Sequence, residues 1–141
     1  MATGQTLLTL ASIVLLAIIS MSIRSMYTQS MYNTVDSQIT SDALNFGRDL
    51  AEEIHSYSLN GQYSDLPAIF SSWNDITDEE ARREFTPQVG VTLYATFDVE
   101  ENILLNHGQM GHLVTIFIYE EEREDVYREI AQYVTTVVDL S

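Results

Sequence analysis

Neither cysteine nor lysine occurs anywhere in the 141 residues. The first absence excludes disulfide stapling, thiolate metal sites and thiol chemistry, and it leaves the redox compartment unreadable. The second means that all six bases are arginines: Arg24, Arg48, Arg82, Arg83, Arg123 and Arg128. Against them stand 21 acids, for a net charge of −15. Such a surface repels nucleic acid and anionic membrane, so no nucleic-acid partner is expected. It also opposes self-association at low salt. At about 1 M salt the Debye length falls to roughly 3 Å and the repulsion is largely screened. An acid-rich, lysine-free surface is therefore expected of a protein from a salt-loving organism, the alternative being an acidic extracellular protein from an ordinary habitat. There is no N-x-S/T acceptor, so no N-glycan is expected. No Gly-rich phosphate loop and no G-x-S-x-G elbow occurs, so neither enzyme activity nor a cofactor is expected.

Acids are also missing from one end of the chain, where the first is Asp36. The uncharged run from Ala2 to Ile23 makes about 33 Å of helix, long enough to cross a bilayer. A secretory signal would carry a basic start and a small-x-small cleavage site, and "MATGQT" supplies neither. A plain single-span anchor fits the hydropathy. The next segment adds a third reading. Tyr27, Met31, Val35, Ile39, Ala43, Phe46, Leu50, Ile54 and Tyr57 recur at steps of three and four, an apolar stripe on one helix face. Asp36, Asp42, Arg48, Asp49, Glu52 and Glu53 lie off it. No proline interrupts, and Asn60-Gly61 supplies a stop. Residues 7–59 therefore read as one helix, with Gly47 inside it as a kink or a close-packing point.

The chain's two prolines, Pro67 and Pro87, fall in an irregular stretch, 62–90. Within it Thr77-x-x-Glu80 has the form of a capping box opening a short helix through Phe85. Beyond Gly90 the period changes to two. Runs 91–100, 113–122 and 132–140 are β-branched and aromatic, as strands are. The expected fold is α+β: a long N-terminal helix with a small antiparallel sheet packed on its lower half. The organisation that follows is an oily part of the helix (1–24), an amphipathic part (25–60) and a globular head (61–141). Met31, Val35, Ile39, Phe46, Leu50 and Ile54 are expected to pack against the head.

A long helix, oily at its tip, followed by three antiparallel strands resembles the type IV pilin and pseudopilin family. The motif likeness covers the first 25 residues or so. Gly4 followed by "QTLLTLASIVLLAIIS" keeps the family's glycine, its Thr-Leu and its oily run. The chain departs from the pattern in a short leader without bases, and in Thr9, which stands where the family has glutamate. The resemblance implies processing between Gly4 and Gln5 by a prepilin peptidase, and a filament core built from Gln5, Leu7, Leu8, Thr9, Leu10, Ile13, Leu15, Leu16, Ile18, Ile19 and Ile23. Exposed as a new terminus, Gln5 could cyclise and lose its charge; left uncleaved, it could stand in for the glutamate as a neutral hydrogen-bonding group. The implied function is a structural subunit of an extracellular filament, a helical homo-oligomer that rests in the cytoplasmic membrane before the pilus assembly machinery moves it to the cell surface. The alternatives are a membrane-anchored binding domain and a pseudopilin of a secretion apparatus.

Arg24 closes the oily run with no carboxylate within one helical turn. An intersubunit pair between Arg24 and Asp36 is expected in a filament, and a snorkelling role at the membrane surface before assembly. His107 and His112 flank a glycine-rich turn and, with Glu120 to Glu122, are weighed as metal ligands; they read better as polar loop residues, so no metal is expected. Tyr27, Tyr32, Phe46 and Tyr57 read as packing residues.

Overall fold

The structure is a computed structural model that describes residues 2–140. The fold is α+β. Helix α1 spans Ala2–Leu59 without interruption, starting earlier than expected because nothing before Leu7 breaks it. Its end follows the Asn60-Gly61 signal. Gly61 has φ +77°, the Gln62 N–H donates to the Tyr57 carbonyl at 2.9 Å, and the Gly61 N–H donates to Ser58 at 3.1 Å. That paired pattern satisfies carbonyls the last turn would otherwise leave open. The chain divides between Ser37 and Gln38 into two compact units. The division falls inside α1.

The second unit holds the core. Helix α2 (Leu66–Ser71) follows the end of α1, started by Pro67, whose missing N–H costs nothing in a first turn. Four strands then form an antiparallel meander in the order β1-β2-β3-β4: β1 (Arg83–Phe85), β2 (Leu93–Leu104), β3 (Met110–Arg123) and β4 (Val126–Val138). The three expected strands are β2 to β4, each longer or shifted by a few residues. β2 slips register between Glu100 and Ile103, where Asn102 adopts φ 51°.

One face of β3 (Val114, Ile116, Ile118) is fully buried against Ala43, Phe46, Leu50, Ala51 and Ile54 of α1 and Phe70 of α2, while its other face is half-buried. Phe70 anchors an aromatic cluster, with ring centroids 5.1 Å from Phe97, 5.4 Å from Tyr57 and 5.4 Å from Trp73. Each such buried side chain contributes about 1.5–3 kcal/mol. Gly47 is a packing point. A Cβ there would lie 3.1 Å from Ile118 Cδ1 and 3.2 Å from Tyr133 Cβ, so its bare backbone lets helix and sheet approach.

Two sequence expectations need correction. The helix expected from Thr77 through Phe85 is a single 3-10 turn, Glu79–Ala81, followed by β1. The Thr77 hydroxyl is drawn instead to the Asp75 carboxylate at 2.7 Å, and Asp78 caps the turn by accepting from the Glu80 N–H at 2.9 Å. Arg83 and Phe85 are claimed by pairing with Ala95 and Leu93. The second correction concerns the packed stripe. Ile39 is half-buried and Phe46, Leu50 and Ile54 are buried, but Met31 and Val35 remain exposed. Periodicity marks which face is apolar, not what covers it.

Candidate assembly surface

The sequence-expected assembly residues lie on the first unit, where every residue from Thr3 to Ser37 is exposed. Leu7, Leu8, Leu10, Ile13, Leu15, Leu16, Ile18, Ile19 and Ile23 keep between 47% and 72% of their surface open. They ring the helix, because consecutive residues are about 100° apart and the run leaves no polar face. A helix apolar all round is stable only among lipid tails or other helices. By length and composition, α1 is long and apolar enough to cross a membrane.

The hydroxyls scattered along this run fit either dry environment. Thr9 donates to the Gln5 carbonyl at 2.8 Å, Ser12 to Leu8 at 2.9 Å and Ser22 to Ile18 at 3.0 Å. Each satisfies itself one turn back, so none demands water or an external partner. Thr9 is thereby neutral and internally bonded.

Among the described residues, shallow indentations occur along this part of the helix. The first surrounds Ala11, whose small side chain leaves a hollow rimmed by Leu7, Leu10, Val14, Leu15 and Ile18. That is the form of the four-residue hole into which a neighbouring helix inserts a knob. The second is rimmed by Met21, Arg24, Thr28 and Tyr32 around Ser25. Ala11, Val14, Met21 and Met26 are exposed on the same helix although they were not singled out from the sequence, and Tyr32, read there as a packing residue, is exposed with them. Their apolar character within the acid-free run was the available signal. Thr28 donates to the Arg24 carbonyl at 2.9 Å, so the hydroxyl nearest Arg24 is already engaged. The first acid, Asp36, lies about 18 Å further along the helix.

In the second unit His107 is exposed in the turn before β3, whereas His112, expected as a polar loop residue, lies buried on β3 and serves with His55 as a strut. His112 is 3% exposed, stacks on Tyr63 with centroids 4.1 Å apart, and accepts from the Asn102 N–H through Nδ1 at 3.2 Å. It therefore props the β2 bulge. His55 Nε2 meets the Thr135 hydroxyl at 2.9 Å, tying α1 to β4. Among the described residues, no three His, Cys, Asp or Glu side chains come together as a metal cluster. Burial holds the Tyr63 phenol above its ordinary pKa, with the Asp139 carboxylate adding to the effect. Compared with known proteins, the chain matches no family model, no curated protein and no solved structure.

Proposed function

We propose that this protein is the structural subunit of an extracellular, type IV pilus-like filament that polymerises through the first unit of α1. The observation that carries the reading is the length of the acid-free tract. From Ala2 to Val35 the helix holds no carboxylate, about 51 Å of axis, whereas a hydrocarbon core needs about 30 Å. Past Arg24, beyond what a bilayer would cover, Met26, Tyr27, Met31, Tyr32 and Val35 each leave more than half their surface open in the lone chain. A stalk standing in water would be polar there, as the rest of this acid-rich chain is. Cover by neighbouring helices accounts for the tract, and a simple membrane tether does not. Before assembly the same helix rests in the cytoplasmic membrane; afterwards it lines the filament core, with the acidic heads facing solvent.

The test is to shear outer appendages from intact cells, pellet them, and read the protein's N-terminus by mass spectrometry. Recovery as the dominant band is expected, and its first residue reports whether processing occurs between Gly4 and Gln5. Intact protein retained in the membrane, with none in the sheared fraction, would replace this reading with a tethered domain or a short secretion-type assembly.

A further inference from the structure

The open edge of a sheet invites another strand, and most of the edge in this sheet is guarded. Strand β1 covers residues 93–95 of β2, and the Phe97 N–H donates to the Trp73 carbonyl at 2.8 Å. Beyond them come Glu100, Glu101 and the register slip at Asn102. At the start of β4, the charged Arg128 and Glu129 precede a bulge, because Ile130 is left over between the pairs Ala131–Ile118 and Glu129–Tyr119. The rest of β4, residues 131–138, holds no charge, no proline and no glycine, in a chain with a net charge of −15. Among the described residues it pairs on one side alone, with β3.

One hydrogen bond sets the phase of this edge. The Asp139 N–H donates to the Met110 carbonyl at 3.4 Å, continuing the register in which Val138 lies opposite Gly111. In an antiparallel pair, alternate residues turn both N–H and C=O toward the same neighbour. Gln132, Val134, Thr136 and Val138 therefore turn theirs away from β3. The Ser58 hydroxyl takes the Val138 carbonyl at 3.2 Å. The open ladder is then Gln132, Val134 and Thr136, closed at one end by Ser58 and at the other by the bulge. Val134 is its midpoint, with a side chain 56% exposed.

We infer that this edge pairs with a second copy of this chain, β4 against β4 and antiparallel, with Val134 opposite its own counterpart. In that register Gln132 of each copy lies opposite Thr136 of the other, and the three open residues of both strands exchange about six hydrogen bonds. Any other register leaves one of the three without a partner, or sets it against the occupied Val138 carbonyl or the bulge. The segment is self-complementary and brings no acid of its own to the contact. A contact of this kind is isologous, so it closes on two copies and does not propagate. It joins second units in pairs and does not rest on the filament reading.

The absence of cysteine makes the test direct. The full chain is held in detergent at about 1 M sodium chloride, which screens the acids. Val134→Cys is treated with a bis-thiol reagent spanning about 5 Å, since directly paired Cα atoms lie about 5.5 Å apart. A covalent dimer is expected, and none from Asp98→Cys, exposed on β2 two strands from the edge. Gln132→Cys and Thr136→Cys should each stay monomeric and give a dimer when mixed, because each lies about 14 Å from its own counterpart. Adding Thr136→Pro to Val134→Cys removes an N–H aimed at the partner and leaves the β3 ladder intact, and should lower the dimer yield about tenfold or more. A Val134→Cys chain that melts like the wild type yet gives no dimer would overturn the pairing. Equal cross-linking of Asp98→Cys, or a yield indifferent to Thr136→Pro, would overturn it too. Cross-linking in native membranes to a chain of another mass, in place of the dimer, would give the edge to a different protein. Recovery in the sheared fraction plays no part in these readouts, so either reading can fail without the other.

Discussion

Gly47, inside α1, and Gly61, just past its end, are glycines for opposite reasons. At Gly61 a Cβ would meet open space, and glycine is required by φ +77°. At Gly47 the helix would gain about 1 kcal/mol from alanine, but Ile118 and the backbone-anchored Tyr133 Cβ stand within 3.2 Å of the added carbon. Gly47→Ala is expected to stay within about 1 kcal/mol of the wild type, and Gly47→Val to lose about 2–3 kcal/mol, as overpacking does. Urea unfolding of the full chain in detergent checks both; an unchanged midpoint for the valine variant would show that the interface yields. Tyr94 carries a pH dependence. Burial first, and then the Glu84 and Glu121 carboxylates, raise its pKa above the ordinary tyrosine value. A group whose folded pKa is raised contributes stability that is complete below its unfolded pKa, about 10, and is lost as pH rises through the folded value. Unfolding midpoints should therefore be level from pH 8 to about 10 and fall beyond it, with a shallower fall in Tyr94→Phe. An equal slope in that variant would assign the loss to other groups.

Between elements, short segments are held by side chains far apart in sequence. Strand β1 has only three residues, yet Arg83 donates two hydrogen bonds of 2.9 Å to the Glu53 carboxylate of α1 and lies over the Trp73 ring at 4.8 Å. Arg82, pointing the other way, sits between Tyr94 and Tyr127 and donates to the Tyr127 hydroxyl at 2.6 Å. Adjacent arginines thus clamp β1 to the helix on one side and to the sheet on the other. The Glu53 and Arg83 side chains are about a third exposed, 32% and 31%. A double-mutant cycle with Glu53→Gln and Arg83→Gln should give a coupling of about 0.5–1 kcal/mol that shrinks at high salt. Zero coupling at low salt would mean that pairing and ring contacts alone hold the strand.

For the molecule as a whole, the governing quantity is its charge of −15, carried by residues from Asp36 onward together with five of the six arginines. Self-repulsion of this size weakens the compact state, and salt relieves it. Raising sodium chloride from about 0.1 M to about 1 M shortens the Debye length from about 10 Å to about 3 Å. The thermal midpoint of the full chain in detergent is expected to rise across that range. A flat response would show that the acids are spaced widely enough not to strain the fold, and would remove the physical basis for expecting a salt-loving source. On the filament reading the same screening favours assembly, since the acidic heads must be gathered along one fibre.

How much of this was legible beforehand follows from the range of each interaction. The long helix, its stop at Asn60-Gly61, the β2–β4 strands and the α+β class are written in local periods of 3.6 and 2 and in one glycine. All of these are properties of neighbouring residues, which a sequence displays directly. The oily, acid-free start is equally local, as is the isolation of Arg24 from any carboxylate within a turn. Helix α2 and strand β1 were not legible, because six and three residues are too few to show a period. Thr77 misled because a hydroxyl that could cap a helix is engaged by Asp75. The end of the packed stripe between Val35 and Ile39, the choice of Gly47 as a contact and not a kink, and the clamp of Glu53 on Arg83 depend on which surfaces meet across tens of residues. Sequence by itself determined the long elements and which of their faces are apolar; only the tertiary structure decided which of those faces pack together within the second unit, because burial is a relation between segments.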